Sequence, residues 1–338
     1  MLGGLIKRYD PTVDMLFLAR GEHGRRMRES GGVELHGPWG RCHVPVRVSD
    51  RLADLAGSSV VLLGVKSQDT EEVAQKASEH LGRAVVVSVQ NGINQRVLSN
   101  HVSPKRLVVG MTATNMAIVA PGVVSLQRNG ITVVGAGTEQ TPSTIVEQAE
   151  AVLAKSRLAV RSERNVLGVQ YNKLLMNTMG YASVLSDSNF ITEGILDRGW
   201  RRAVAMPILA EGLRVLDNAG IELVRTPGLS DVLRFRRLLA TIDAPPVAAV
   251  LRLVLTKLVV PKRIVYSVYQ DLVRGRKTEI DFVNGEIVRL AETHGTEAPL
   301  NATVVEMVRE LERREPGSFF SRENVVSRFE GIARRQSL

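Results

Sequence analysis

Four short stretches of the 338-residue chain set polar side chains at the ends of apolar runs, where they can act on a bound molecule. The first, Val65-Lys66-Ser67-Gln68, follows an apolar run and so lies at the carboxyl end of a strand, the rim where open α/β sheets bind ligands. The second, Val89-Gln90-Asn91-Gly92, closes the next apolar run with two amides and a glycine that permits a tight turn. In the third, Tyr171-Asn172-Lys173-Leu174-Leu175-Met176-Asn177, Lys173 and Asn177 are one helical turn apart and share a face. The fourth runs from Ser267-Val268-Tyr269-Gln270-Asp271 to Arg276-Lys277-Thr278-Glu279-Ile280-Asp281. Taken singly each has a plainer reading: a solvated lysine, a simple turn, a polar helix face in water, an exposed helix start with Thr278 as its cap.

The elements that must position these residues change character along the chain. Short β-branched runs at Asp14–Ala19, Ser59–Val65, Ala84–Val89, Arg106–Thr112, Gly122–Leu126, Ile131–Gly135 and Leu158–Val160 alternate with helical patterns at Asp69–Leu81 and Thr141–Lys155. Such alternation predicts a parallel sheet flanked by helices. Turn signals at Ala120-Pro121-Gly122 and Asn129-Gly130 predict that the fifth and sixth runs form an edge hairpin, making the sheet mixed. From about Asn165 onward the period is helical, with breaks at Asp197–Gly199, Thr226–Gly228, Pro245-Pro246, Pro261 and Gly295–Pro299. The expected division is an α/β domain over 1–164 and an all-helical domain over 165–338.

Composition narrows the function classes. Hydrophobic residues make up 44% and charged residues 23%, as in ordinary globular proteins, and the formal charge is +9. Aromatics are only 4% and the arginines are scattered (Arg201-Arg202, Arg234, Arg236-Arg237, Arg313-Arg314), so neither a stacking surface nor one basic element for nucleic acid stands out. A single cysteine, Cys42, and six histidines without H-E-x-x-H spacing offer no metal-ligand set. No stretch has the length of an apolar membrane span and the N-terminus lacks signal-peptide character, so a cytoplasmic location is expected. The apolar run Val247–Val260 reads as core or as a homodimer interface in the helical domain.

In combination, QNG, a later KLLxN and a still later SxxQDxxxxRxTEID resemble the ketopantoate reductase (2-dehydropantoate 2-reductase) family, and HGTEAPLN at His294–Asn301 fits the same pattern. The resemblance runs from Leu2 to about Glu310. It implies a Rossmann-type dinucleotide-binding domain followed by a helical domain, and NADPH-dependent reduction of a 2-oxo acid, as in pantothenate biosynthesis. Lys173 then matches the catalytic proton donor, in a cleft where burial can lower its pKa. Asn91 matches the amide that orients the lysine beside the nicotinamide. Glu279 matches a catalytic carboxylate that contacts substrate, Ser267 the hydroxyl holding its polar end, and Asn177 a substrate-binding amide. Lys66, Gln68 and Gly92 match the cofactor cleft, and Arg20 the basic residue that favours a 2′-phosphate, hence NADP over NAD.

Two departures stand beside the resemblance. The family opens with a strand and a G-x-G-x-x-G loop; here Met1-Leu2-Gly3-Gly4-Leu5-Ile6 aligns with residues already inside the first helix, and Gly135-Ala136-Gly137 lies on the wrong strand. The expectation is a reductase whose first strand and loop are missing through a late start, with a packing gap in the sheet; the alternative is a shortened, non-catalytic paralogue that binds or interacts. In the substrate pocket, Tyr181 replaces a common second amide and Ile264 a common polar contact. The resemblance implies ketopantoate or a related substrate as the small-molecule partner, and these two changes put ketopantoate itself in doubt in favour of a different 2-oxo acid or related ketone.

Overall fold

In the computed structural model the described residues are 1–228, 231–242 and 265–336. Pro245-Pro246, Val247–Val260, Pro261 and Ile264, singled out above, lie outside them. The chain divides into two compact units, Met1–Val169 with Pro227–Leu229, and Gln170–Thr226 with Ser230–Leu338.

Burial on both faces dictates the centre of the first unit. Strand β6 (Val85–Ser88) is buried at every position, and β7 (Leu107–Thr112) at all but its last. An unbroken valine run of this kind suits a strand with helices over both faces. Val85, Val87, Val108 and Val134 pack with Val146, Ala149 and Leu153 of helix α5 (Ser143–Ala154). Val86, Leu107 and Val109 pack with Ala74 of α3 (Thr70–Leu81) and Leu98 of α4 (Gln95–Leu98).

The five-stranded sheet has the order β11-β10-β7-β6-β5, with β5 at Val60–Leu63, β10 at Thr132–Ala136 and β11 at Val160–Ser162. Strands β5, β6 and β7 are parallel. β10 runs antiparallel to β7, so the sheet is mixed as expected. Unlike β6, the outermost β5 is only half-buried along its whole length. Strand β1 (Leu16–Leu18) pairs with β4 (Arg47–Ser49) in a separate parallel ribbon.

The expected hairpin of the fifth and sixth runs does not form. The strand over Val123–Arg128 (β9) instead folds back on β8 (Asn115–Ala120) through Pro121-Gly122, where Gly122 takes φ +78°. A positive φ is what glycine supplies in such a turn. Asn129-Gly130 is a connection held close to β7, with Thr114 Oγ1 donating to the Gly130 carbonyl at 2.8 Å. With β2 (Gly32–Gly37) and β3 (Gly40–Pro45), β8 and β9 make a four-stranded sheet of order β3-β2-β9-β8. Its Leu35 and Val33 pack with Leu5 of helix α1 (Leu2–Tyr9), the helix that contains Gly3-Gly4.

The second unit holds the remaining helices: α6 (Val166–Val184, entering from the first unit's sequence), α7 (Arg198–Trp200), α8 (Met206–Asn218), α9 (Val232–Thr241), α10 (Ser267–Val273), α11 (Asn284–Thr293), α12 (Pro299–Leu311) and α13 (Arg322–Gln336). No strand occurs among its described residues. No helix among the described residues is long and apolar enough to cross a membrane.

The turn from β1 into helix α2 (Gly21–Ser30) depends on a close approach: a Cβ on Gly24 would fall 2.0 Å from the Ala19 carbonyl oxygen. Gly24→Ala is therefore expected to destabilise the protein by about 1–3 kcal/mol, the usual cost of forcing backbone apart. A urea midpoint that falls with an unchanged slope would be the expected reading; an unchanged midpoint would contradict it.

Candidate active site

The first unit assembles a polar rim at the carboxyl ends of β5 and β6. Beyond β5, Lys66 precedes the tight turn Ser67–Asp69 that leads into α3. Beyond β6 come Gln90, Asn91 and Gly92, the last at φ +73°. The two loops are laced by buried side chains. Gln90 Nε2 donates to the Val65 carbonyl at 2.6 Å and to Thr70 Oγ1 at 2.8 Å, while its Oε1 accepts from Ser88 Oγ at 2.8 Å. Ser67 Oγ donates to the Asn91 carbonyl at 2.7 Å, and Asn94 Nδ2 donates to that same carbonyl at 2.8 Å. Two donors on one carbonyl fix the peptide from which the half-buried Asn91 side chain projects.

Lys66 is exposed at this rim and Gln68 half-buried. Arg20 is exposed at the start of α2, just past the end of β1. Glu72 on α3 is held below the usual carboxylate range chiefly by its hydrogen bond to Lys76, with a further contribution from the Arg20 charge. Arg20 is thus near the helix that Lys66 and Gln68 lead into. The structure brings the first unit's candidates to one neighbourhood. The sequence reading missed Thr70 and Asn94, whose only signal is a polar residue buried where a loop or helix surface was expected.

In the second unit the third and fourth stretches converge on α6. Tyr171 and Asn172 face inward: the Tyr171 hydroxyl donates to Glu286 Oε1 at 2.8 Å, and Asn172 Oδ1 accepts the Val232 amide at 2.9 Å, serving the start of α9. That anchorage turns Lys173, Met176 and Asn177 outward as a half-exposed stripe, with Leu174 and Leu175 buried behind it. One turn further on, the same face is covered. Tyr266 lies directly on Gly180, where a Cβ would fall 2.1 Å from its ring.

Beneath that cover sits a polar cluster whose phenol and carboxylate are buried and whose serine is half-buried. Tyr181 is 1% exposed and Glu279 5%. The Tyr181 hydroxyl donates to Glu279 Oε1 at 2.6 Å, Ser267 Oγ donates to the same oxygen at 2.5 Å, and the two hydroxyls are 2.9 Å apart. Two hydroxyl donors on a buried carboxylate oxygen offset much of its desolvation. Within the fourth stretch an exposed helix start is the wrong reading of Asp271, Thr278 and Glu279, all buried, whereas Arg276, Lys277 and Asp281 are exposed as that reading expects. Tyr266, which packs edge-on to Tyr181 with centroids 5.7 Å apart, was not legible from sequence, because nothing distinguishes a covering ring from a core one. The HGTEAPLN motif serves the frame: the Leu300 and Asn301 amides at the start of α12 donate to Glu211 at 2.9 and 2.8 Å.

Burial pushes the Tyr181 phenol well above the ordinary tyrosine value, and the Glu279 charge adds to it. Burial likewise raises Tyr171, beside Glu286, and Tyr266. Phenols that ionise less readily folded than unfolded give stability that is complete below about pH 10 and is lost as pH climbs toward the folded-state values. Absorbance at 295 nm recorded with circular dichroism should therefore show phenolate from these three of the five tyrosines appearing only with loss of helix. Smooth ionisation of all five with helix intact would contradict the buried cluster.

Residues 2–139 match the family described as ketopantoate reductase PanE/ApbA, and residues 165–312 its C-terminal part. The 2-dehydropantoate 2-reductase of Pyrococcus abyssi (strain GE5 / Orsay) is 25% identical over 321 residues, 93% of this chain and 95% of its own. That of Archaeoglobus fulgidus is 26% identical, covering 88% and 90%. In fold, the chain is similar to the PanE/ApbA family ketopantoate reductase of Ralstonia eutropha JMP134, with a TM-score of 0.71 at 24% identity over 92% of this chain and 94% of that one. It is also similar to a D-mandelate dehydrogenase solved with NADH and anilino(oxo)acetate, with a TM-score of 0.74 at 19% identity and the same coverage. With both halves of the chain matched, the protein belongs to the ketopantoate reductase PanE/ApbA family.

Proposed function

We propose that the protein reduces a 2-oxo acid to the 2-hydroxy acid with NADPH. The observation that carries this reading is the α6 stripe, where Lys173 and Asn177 stand half-exposed on one face while Tyr171 and Asn172 pin the opposite one. Its support from relatives is the name 2-dehydropantoate 2-reductase carried by the proteins of P. abyssi and A. fulgidus.

The rim fits a nicotinamide dinucleotide in the chemistry of its donors and acceptors. The buried Oδ1 of Asn94 has no hydrogen-bond partner among the described residues, an acceptor suited to a carboxamide N–H donor. Lys66 and Arg20 are exposed cations at strand ends, Arg20 being the residue assigned to a 2′-phosphate; Gln68, Asn91 and Gly92 complete the set. When bound, the reduced nicotinamide supplies the hydride. Hydride addition to the carbonyl carbon turns the C=O π pair into a lone pair on oxygen, and Lys173 Nζ gives that oxygen its proton, so one C–H and one O–H bond form. Asn177 holds the acid one turn along the helix, and Asn91 orients the reacting groups. Glu279 and Ser267 act at the covered end of the same face.

Lys173→Ala is expected to lower kcat by about 10²- to 10⁴-fold, the range for loss of a positioned general acid, with the circular dichroism spectrum and NADPH affinity retained. Undiminished turnover would remove Lys173 from the role. Arg20→Ala is expected to raise the KM for NADPH about 10- to 100-fold, the worth of a hydrogen bond to a charged group, and to leave NADH unaffected; equal effects on both would overturn the 2′-phosphate assignment. A second reading is a binding protein without turnover. Fluorescence titration with NADPH separates the two: micromolar binding supports the reductase, and no binding supports the alternative.

A further inference from the structure

Following the reactive face of α6 away from Lys173 shows what a substrate's side chain would meet. The face carries Lys173, Met176 and Asn177, then Gly180 and Tyr181. At 100° per residue all five fall within one broad side of the helix. The first three are half-exposed, while Gly180 and Tyr181 are buried. Tyr266 makes the change, its ring seated on Gly180 and edge-on to both Tyr181 and Phe190, with centroids 5.7 and 5.9 Å apart. The stripe therefore ends on aromatic surface.

Polar groups are present at that end, but the chain uses them itself. Glu279 Oε1 takes hydrogen bonds from both the Tyr181 phenol and Ser267 Oγ, and the two hydroxyls also meet each other. A substrate hydroxyl extending along the face could reach Glu279 Oε1 only by displacing one of these donors, leaving the buried phenol or the half-buried Ser267 to find another partner. A substrate without that hydroxyl asks for no such exchange, and its carbon skeleton packs on Met176 and the rings.

Resting on the reductase reading above, we infer that Tyr181 sets the substrate class: by occupying the Ser267–Glu279 pair it commits the site to 2-oxo acids whose side chains are branched or aromatic and carry no hydroxyl. Tyr181 is thus a specificity-determining residue that acts through Ser267 and Glu279. A hydrophobic wall discriminates against an added hydroxyl only modestly, by about 10²-fold at most.

The test is a matched pair, 3,3-dimethyl-2-oxobutanoate and its 4-hydroxy derivative, with phenylglyoxylate as the aromatic member, assayed on the full chain by NADPH oxidation. The wild type is expected to give kcat/KM about 10- to 100-fold higher for the unhydroxylated acid, and to turn over phenylglyoxylate. Tyr181→Asn frees the carboxylate and should shrink or invert the ratio within the pair. Equal or better use of the hydroxylated acid by the wild type overturns the inference without needing the variant, and so does a folded Tyr181→Asn protein with an unchanged ratio. Turnover of the hydroxylated acid alone would leave the reductase reading standing while removing this one. No turnover of any of the three acids would overturn both.

Discussion

A carboxylate taken out of water has to be met by donors, and the helical unit is organised around three that are each 5% exposed: Glu211, Glu279 and Glu286. Two are met from the same helix. Tyr171 reaches Glu286 and Tyr181 reaches Glu279, ten positions apart on α6. Arg289 adds a second partner to Glu286, donating from Nε at 2.7 Å, and Ser267 adds one to Glu279. These bonds are directional, so α6 cannot rotate about its axis without stranding a buried charge. The outward direction of Lys173 and Asn177, which lie between the two phenols in sequence, follows from that constraint. Glu211 does the same for α12, drawing in the amides of Leu300 and Asn301.

The first unit reaches the same end by other means. Its central strands are apolar on both faces, which leaves only their ends for polar chemistry. The rim is then made rigid by short side chains spanning two loops: Gln90 reaches back to Val65 and Thr70, and Ser67 and Asn94 converge on the Asn91 carbonyl. In both units the residue assigned to chemistry is held by neighbours whose own hydrogen bonds are internal.

What was legible in the sequence follows from which forces leave a periodic trace. The valine runs of β5, β6 and β7 and the helix over 70–81 were readable because burial on two faces, or on one stripe, repeats along the chain. Strands β2, β3, β4 and β8 were missed. In Gly32–Gly37 and Gly40–Pro45 histidine, cysteine, glutamate and arginine break the alternation, and β8 carries Ile118 and Val119 exposed at an edge, so neither shows a clean inside and outside. Asn129-Gly130 misled because a favourable turn dipeptide says nothing about which strands are adjacent; β9 was already paired through Pro121-Gly122. At the site, the spacing of Lys173 and Asn177 gave their common face directly, whereas the meeting of Tyr181, Ser267 and Glu279 joins residues up to 98 apart and left no local trace.

That cluster also explains how one position can change chemistry without changing the fold. The requirement imposed by burying Glu279 is for donors, not for any particular source of them. A tyrosine at 181 supplies a donor from the chain itself and fills the surrounding volume with its ring, so the carboxylate is met by donors before any ligand arrives. A short amide there would leave both volume and an acceptor open, and a bound molecule would have to provide the hydroxyl. The fold's demand is met in either case, but in the first the polar group is spent on structure and in the second on recognition. The packing of Tyr266 over Gly180 belongs to the same arrangement: a ring closes that end of the face, and only a residue without a Cβ lets it approach so near the helix.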